Sequence, residues 1–203
     1  MEFWNSLLTE KSWNILQDLK KKFDFVLIGG WANYLWTKTH KSKDIDIIID
    51  LKTLYILKEN YRLIKNDRLK KYEIKIDDID IDIYVPHYSK LSLPVEFIQK
   101  NVTVVEGFKV IIPEVLLILK QGAELNRGYS IKGQKDRIDI MTLLFYSDID
   151  FKKYKEILKI YHLDYLNELK RIIKIFKDLK HLNANVKDFK KKKEEILKKL
   201  ENY

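Results

Sequence analysis

The sequence predicts an α+β protein: a small mixed β-sheet flanked by helices, with an all-helical extension at the C-terminal end. Three observations predict it. Short apolar or alternating runs of strand length are confined to residues 23–112. Two of these runs fold about the turn pairs Asp77-Asp78 and Glu106-Gly107. From Pro113 onward the apolar residues recur at helical spacing instead. The expected division is therefore a core over 1–112 and a helical region over 113–203.

Taken in order, residues 3–22 place Phe3, Leu7, Leu8, Ile15, Leu16 and Leu19 on one helical stripe. "FDFVLI" is a buried strand ending at Gly29-Gly30, and "WANYLWTKT" a short helix. "DIDIIID" is a second strand, followed by a helix over Leu51–Lys65 carrying Leu54, Leu57 and Leu63. "YEIKIDDIDIDIYVP" contains two strands stopped by Pro86, and "NVTVVEGFKVIIP" two more. "PEVLLILKQGAEL" opens with proline in its first turn, where the missing N–H costs nothing. "KDRIDIMTLLFY" follows a glycine-containing loop, and three further helices are expected near 151–161, 164–180 and 186–201.

At 203 residues the chain is long enough for a real hydrophobic core. The absence of cysteine removes disulfides and thiolate metal sites from consideration. The N-terminal "MEFWNSLLTEKSWNILQDL" is acidic and amphipathic, unlike a signal peptide, and no apolar run is bilayer-length. A soluble, cytoplasmic protein with no membrane partner is expected.

Charge is unevenly placed. Residues 151–203 hold 16 Lys/Arg against 8 Asp/Glu, whereas residues 1–150 hold 23 against 22. The excess in the C-terminal quarter is either a solvated face in a Lys/Glu-rich chain or an electrostatic arm for a polyanion.

Two features in the N-terminal half carry chemistry. Gly29-Gly30 matches neither the dinucleotide fingerprint nor the phosphate-loop pattern. A sharp strand-to-helix turn explains it, as does close approach of the backbone to a phosphate at a helix N-terminus. Fourteen residues beyond Gly30, Asp44 and Asp46 flank Ile45. Residues two apart on a strand share a face, and two rises of ~3.3 Å put such carboxylates ~6–7 Å apart. At an effective dielectric of about 20 they repel by roughly 2–3 kcal/mol. An exposed strand face with its charge outward and Ile45, Ile47 and Ile49 inward is the alternative; such a face usually mixes signs, and this one is all acidic. Hard oxygen donors without His or Cys suit Mg²⁺ or Mn²⁺. Asp80 and Asp82 repeat the pattern, so that a neighbouring strand can add a third carboxylate. Such a set fits two-metal phosphoryl transfer.

"LIGGWANYLWTKTHKSKDIDIII" followed by "IDIDIYV" resembles the signature of the DNA polymerase β-like nucleotidyltransferases. The resemblance implies that Gly29 and Gly30 hold the triphosphate and that Asp44 and Asp46 ligate two Mg²⁺ (or Mn²⁺) ions, with an NTP such as ATP as substrate. It implies a third catalytic and metal-binding carboxylate at Asp82, acting as base for the acceptor hydroxyl; Asp80 shares its face and remains the alternative. "VIIPEVLLILKQGAELNRGYSIKGQKDRIDIMTLL" is similar to the region after the catalytic domain in abortive-infection (AbiEii-like) nucleotidyltransferase toxins and their stand-alone relatives. Carried over, Lys120, Arg127 and Lys135 would meet nucleotide phosphates, while Asp136 and Asp139 order that corner. Asp136 is also readable as a helix cap or first-turn acid. Many members have Ser at the second glycine and Arg or Thr before D-x-D; here Gly30, Ser42 and Lys43 stand in those places, so Ser42 and Lys43 become the nucleotide-side candidates.

The implied activity is Mg²⁺-dependent transfer of a nucleoside monophosphate to an acceptor, foremost an RNA such as a tRNA end. A small-molecule or protein acceptor and a non-catalytic nucleic-acid or partner-binding module are the alternatives. An antitoxin partner or a homo-oligomer stays open.

Overall fold

The structure, a computed structural model, describes residues 6–201. Phe3, assigned above to the first helical stripe, lies outside them. The chain divides into two compact units, Met1–Ile112 and Pro113–Tyr203.

The first unit is built on a seven-stranded mixed sheet of order β3-β4-β5-β2-β1-β7-β6. Its elements are α1 (Ser6–Lys22), β1 (Val26–Ile28), α2 (Gly29–Thr37), β2 (Ile45–Ile48), α3 (Leu51–Asn60), β3 (Ile64–Asn66), β4 (Lys71–Ile76), β5 (Ile79–Tyr84), α4 (Val95–Lys100), β6 (Val102–Val105) and β7 (Phe108–Ile111). β2 lies between β1, to which it is antiparallel, and β5, to which it is parallel. Ile45, Ile47 and Ile48 of this central strand are buried, as are Ile79, Ile81 and Ile83 of β5. Trp31 of α2 is fully buried, stacks 5.0 Å from Trp13 of α1, and donates its indole N–H to Ser12 Oγ at 2.9 Å. That bond answers the polar requirement of a buried indole.

Several boundaries differ from expectation. Leu7 is largely exposed, so the buried stripe of α1 is set by Thr9, Ser12, Leu16 and Leu19. The helix expected over Leu51–Lys65 stops at Asn60, and Ile64–Asn66 instead form β3 against β4. Asn66 accepts from Leu69 N–H and donates to Glu73, while Tyr88 stacks on Tyr72 and donates to the Asn66 carbonyl. These tertiary partners outweigh the local helical period. Helix α4, with Val95 and Ile98 buried, is too short for a period to show.

The second unit comprises α5 (Pro113–Arg127), α6 (Ile131–Tyr146), α7 (Phe151–Ile160), α8 (Leu166–Ile175), a single 3₁₀ turn over Lys180–Leu182, and α9 (Val186–Glu201). Helix α6 starts earlier than expected: Ser130 is its N-cap, accepting from Gly133 N–H, so Asp136 is not the cap. Helix α8 ends at Ile175 rather than near 180, and Lys193 of α9 donates to the Lys174 and Phe176 carbonyls at that end. Val186, placed on the packing stripe of α9 by sequence spacing, is exposed; Phe189, Ile196 and Leu200 are buried. Among the described residues no helix is long and apolar enough to cross a membrane.

Candidate active site

The site grows from a single turn. β1 ends at Ile28, which lies opposite Asp46 of β2, and the next residue opens α2. Gly29 adopts φ +66, a left-handed conformation that glycine reaches without Cβ strain. A Cβ there would stand 2.0 Å from Asp46 Oδ2 and 2.6 Å from its Cγ. The first residue of the helix and the Asp46 carboxylate thus share space that only a glycine leaves open. Gly30, the second helical residue, is buried.

Asp46 is half-buried and sits in register with Asp82 across the parallel β2–β5 pair. β2 begins at Ile45, so Asp44 stands at its leading edge rather than within the strand. Asp80 lies one residue outside the β2–β5 register, is 57% exposed, and reaches Lys75 at 3.9 Å.

Asp82 is held differently. Lys71 Nζ lies 2.5 Å from its Oδ2 and 3.0 Å from Glu73 Oε1, and the Lys71 side chain is only 11% exposed. Burial pushes the Asp82 carboxyl up to about 6; the negative charge of Asp46 adds to the rise and the Lys71 ammonium opposes it. The pull of Asp82 and Glu73 raises Lys71 in turn, against the cost of its burial. Lys71 and Glu73 escaped the sequence reading. Their signal was present: counting outward from the Asp77-Asp78 turn places Glu73 opposite Asp82 and Lys71 two residues further along the same face.

The donor chemistry of Asp44 and Asp46 is that of a hard divalent cation. Among the described residues, however, no three His, Asp or Glu side chains are grouped as a ready metal site, and the nearest charge on Asp82 is an ammonium. Of the other first-unit candidates, Ser42 is buried and Lys43 half-buried in the segment leading to Asp44.

The remaining candidates lie in the second unit. Lys120 is buried, with Nζ 2.5 Å from Asp139 Oδ2 and 3.8 Å from Asp136 Oδ1. Arg127 grips both oxygens of buried Asp136, at 2.7 and 3.0 Å. Lys120, Arg127, Asp136 and Asp139 therefore form one charge network joining α5 to α6. Lys135 is half-buried on α6.

No protein-family model matches the chain, and no curated protein sequence matches it. Solved structures do. ANT(2")-Ia in complex with adenylyl-2"-tobramycin is 14% identical, with 79% of this chain and 99% of that one covered, at a TM-score of 0.50. The lincomycin-bound lincosamide antibiotic adenylyltransferase LnuA is 18% identical over 70% of this chain and 98% of its own, at 0.43. An antigenic nucleotidyltransferase-like protein from Paracoccidioides brasiliensis is 16% identical over 82% and 94%, also at 0.43. With its mixed sheet and flanking helices, the chain has a nucleotidyltransferase fold.

Proposed function

We propose that the chain is a nucleotidyltransferase that moves a nucleoside monophosphate from an NTP to an acceptor hydroxyl, with RNA as the acceptor. The observation that carries this reading is the packing of the Gly29 turn on Asp46, itself abreast of Asp82. A glycine turn opening a helix offers unpaired N–H groups to a triphosphate, immediately beside acidic oxygen donors. Asp44 and Asp46 would hold a divalent cation, which supplies positive charge to the phosphates when bound. Asp82, its carboxyl raised to about 6, has the basicity to take the proton of an acceptor hydroxyl near neutral pH. The acceptor oxygen then bonds to the α-phosphorus as the bond to pyrophosphate breaks.

In this reading Lys43, in the segment leading to Asp44, is the lysine assigned to the phosphates, while the ion pairs of Lys120 and Arg127 join α5 to α6 within the second unit. The RNA acceptor rests on the C-terminal excess of positive charge, much of it on the exposed Lys187, Lys190, Lys191, Lys198 and Lys199 of α9. A second reading, a small hydroxylated acceptor, is favoured by the adenylyl-tobramycin carried by the structural neighbour. Incubation with each labelled NTP, Mg²⁺ or Mn²⁺ and total RNA, resolved on a gel, tests both. Label in RNA is expected. Label in an added aminoglycoside alone would move the acceptor to the second reading, and no transfer under any condition would remove the enzymatic one.

A further inference from the structure

Lys71 of β4 is ion-paired to Asp82 of β5. Exposed ion pairs contribute little, and the next pair along the same hairpin is of that kind: Lys75 and Asp80 are 61% and 57% exposed and 3.9 Å apart. Lys71 is different. It opens β4, and its aliphatic stem and ammonium are almost wholly out of solvent, with Asp82 at 2.5 Å and Glu73 at 3.0 Å. Lysines are seldom buried unless paired, because removing an ammonium from water is costly. Here two carboxylates meet that cost on one side, while Asp46 adds a third negative charge abreast of Asp82.

The consequence concerns how many mobile cations the site needs. Asp44, Asp46, Asp82 and Glu73 bring four negative charges to neighbouring positions on three strands and the entry to one of them. A divalent ion bridging Asp46 and Asp82 would have to displace the Lys71 ammonium from Asp82 Oδ2, share that oxygen with it, or take Oδ1 of a carboxylate whose charge the ammonium already neutralises, each at like-charge repulsion. Resting on the nucleotidyl-transfer reading, we infer that Lys71 is a positioning residue and the built-in cation of this site. Its ammonium holds Asp82 in place beside the acceptor, and the chain takes one divalent ion, at Asp44 and Asp46, rather than two.

Counting bound ions tests this without reference to turnover. Mn²⁺ is titrated into the full chain in the presence of a non-hydrolysable NTP analogue, and bound metal is counted by electron paramagnetic resonance. Wild type should bind one ion and Lys71→Met two, the second at the released Asp82. Lys71→Arg should restore a count of one, which a lysine that merely stabilised the strand would not do. Asp82→Asn should keep the count at one, with a weaker affinity because a neighbouring negative charge is gone, a check that does not depend on the folding of Lys71→Met. Two ions in wild type, one in Lys71→Met, or a lost ion in Asp82→Asn would each overturn the inference. The parent reading fails separately. No Mn²⁺ bound by wild type, or an ion that survives Asp44→Asn and Asp46→Asn together, removes the metal site and the inference with it.

Discussion

Gly29 and Asp46 occupy one volume: the position a Cβ would take on the glycine lies 2.0 Å from an oxygen of the aspartate. Two constraints of different origin therefore coincide at residue 29. Its φ of +66 disfavours any side chain, and the carboxylate leaves no room for one. Gly29→Ala should cost about 1–2 kcal/mol for the left-handed backbone and about 1–3 kcal/mol more for overpacking. It should also push Asp46 from its place, so NTP binding and transfer should both fall well beyond the loss of stability. Urea unfolding and equilibrium NTP binding on the same preparation check this; a stable variant with normal NTP affinity would detach the glycine from the site.

Asp44→Asn and Asp46→Asn should each abolish transfer while the fold persists. Without metal, Asp46→Asn should melt at the same temperature as wild type or higher, because it removes a negative charge that repels Asp82. Melting curves in EDTA and initial rates at saturating Mg²⁺ supply the two readouts. An active Asp44→Asn enzyme would sink the mechanism.

Register favours Asp82 over Asp80 in a choice that the sequence left open. Asp82 faces Asp46 across the parallel pair, whereas Asp80 lies beyond it and reaches out to Lys75. Asp82→Asn should lower the transfer rate by at least the factor of roughly 10²–10⁴ that a general base contributes. Asp80→Asn should change the rate by less than about threefold, the scale of an exposed pair. Single-turnover rates with the same acceptor decide it, and the reverse ranking would move the base by two residues.

Lys120 tests whether the second-unit charges serve phosphates or packing. Its ammonium is buried against Asp139 and Asp136, and breaking a buried pair by removing one partner costs about 3–5 kcal/mol. Lys120→Met should therefore lower the melting temperature sharply, with nucleotide affinity per folded molecule retained. A fully stable variant that had lost NTP binding would restore the phosphate role.

Much of this was legible in the chain itself. The alternation of aspartate and isoleucine on two strands, with glycines at a preceding strand end, offered Gly29, Gly30, Asp44, Asp46 and the pair Asp80 and Asp82 as candidates, and of these the fold brings Gly29, Asp46 and Asp82 side by side. The Asp77-Asp78 turn was also read, and Asp77 does take the left-handed conformation that closes it. What escaped notice was its corollary, that a two-residue turn fixes every cross-strand pair behind it and so brings Glu73 and Lys71 to Asp82. Other features had no local signal. β3 exists because β4 and Tyr88 recruit it, and the burial of Lys120 depends on aspartates one helix away. Those are tertiary decisions that periodicity cannot carry.

Helix α3 offers a pH test free of the active site. Asp50 caps it, accepting from Thr53 N–H at 2.7 Å, and that bond holds its carboxyl below the usual aspartate range. A depressed carboxyl contributes stability that is present above its unfolded pKa of about 3.9 and is lost as pH falls through the folded value. Asp50→Ala should thus cost about 1 kcal/mol at pH 7, with the gap to wild type closing below about pH 4. Urea titrations at both pH values measure it, and a gap that did not narrow in acid would mean the cap acts through packing rather than charge.

The last test concerns the acceptor and the basic C-terminal helix. Phe189, Ile196 and Leu200 bury one side of α9, so truncation would expose core and blur any effect on RNA. Lys193 is also unsuitable, since it donates to the carbonyls at the end of α8. Lys190 and Lys191 are exposed and Lys192 half-exposed, which makes Lys190→Gln, Lys191→Gln and Lys192→Gln the cleaner change. If these lysines meet RNA phosphates, RNA binding should weaken in the triple variant. The slope of log K against log salt should fall by roughly 0.7 for each single-strand phosphate that no lysine neutralises any longer. NTP affinity, assigned to the Gly29 turn of the first unit, should stay within about twofold if these lysines serve the RNA alone. RNA binding measured across a salt series separates the outcomes. An unchanged slope would mean that the lysines only solvate the helix, and the RNA acceptor would lose the charge argument on which it rests.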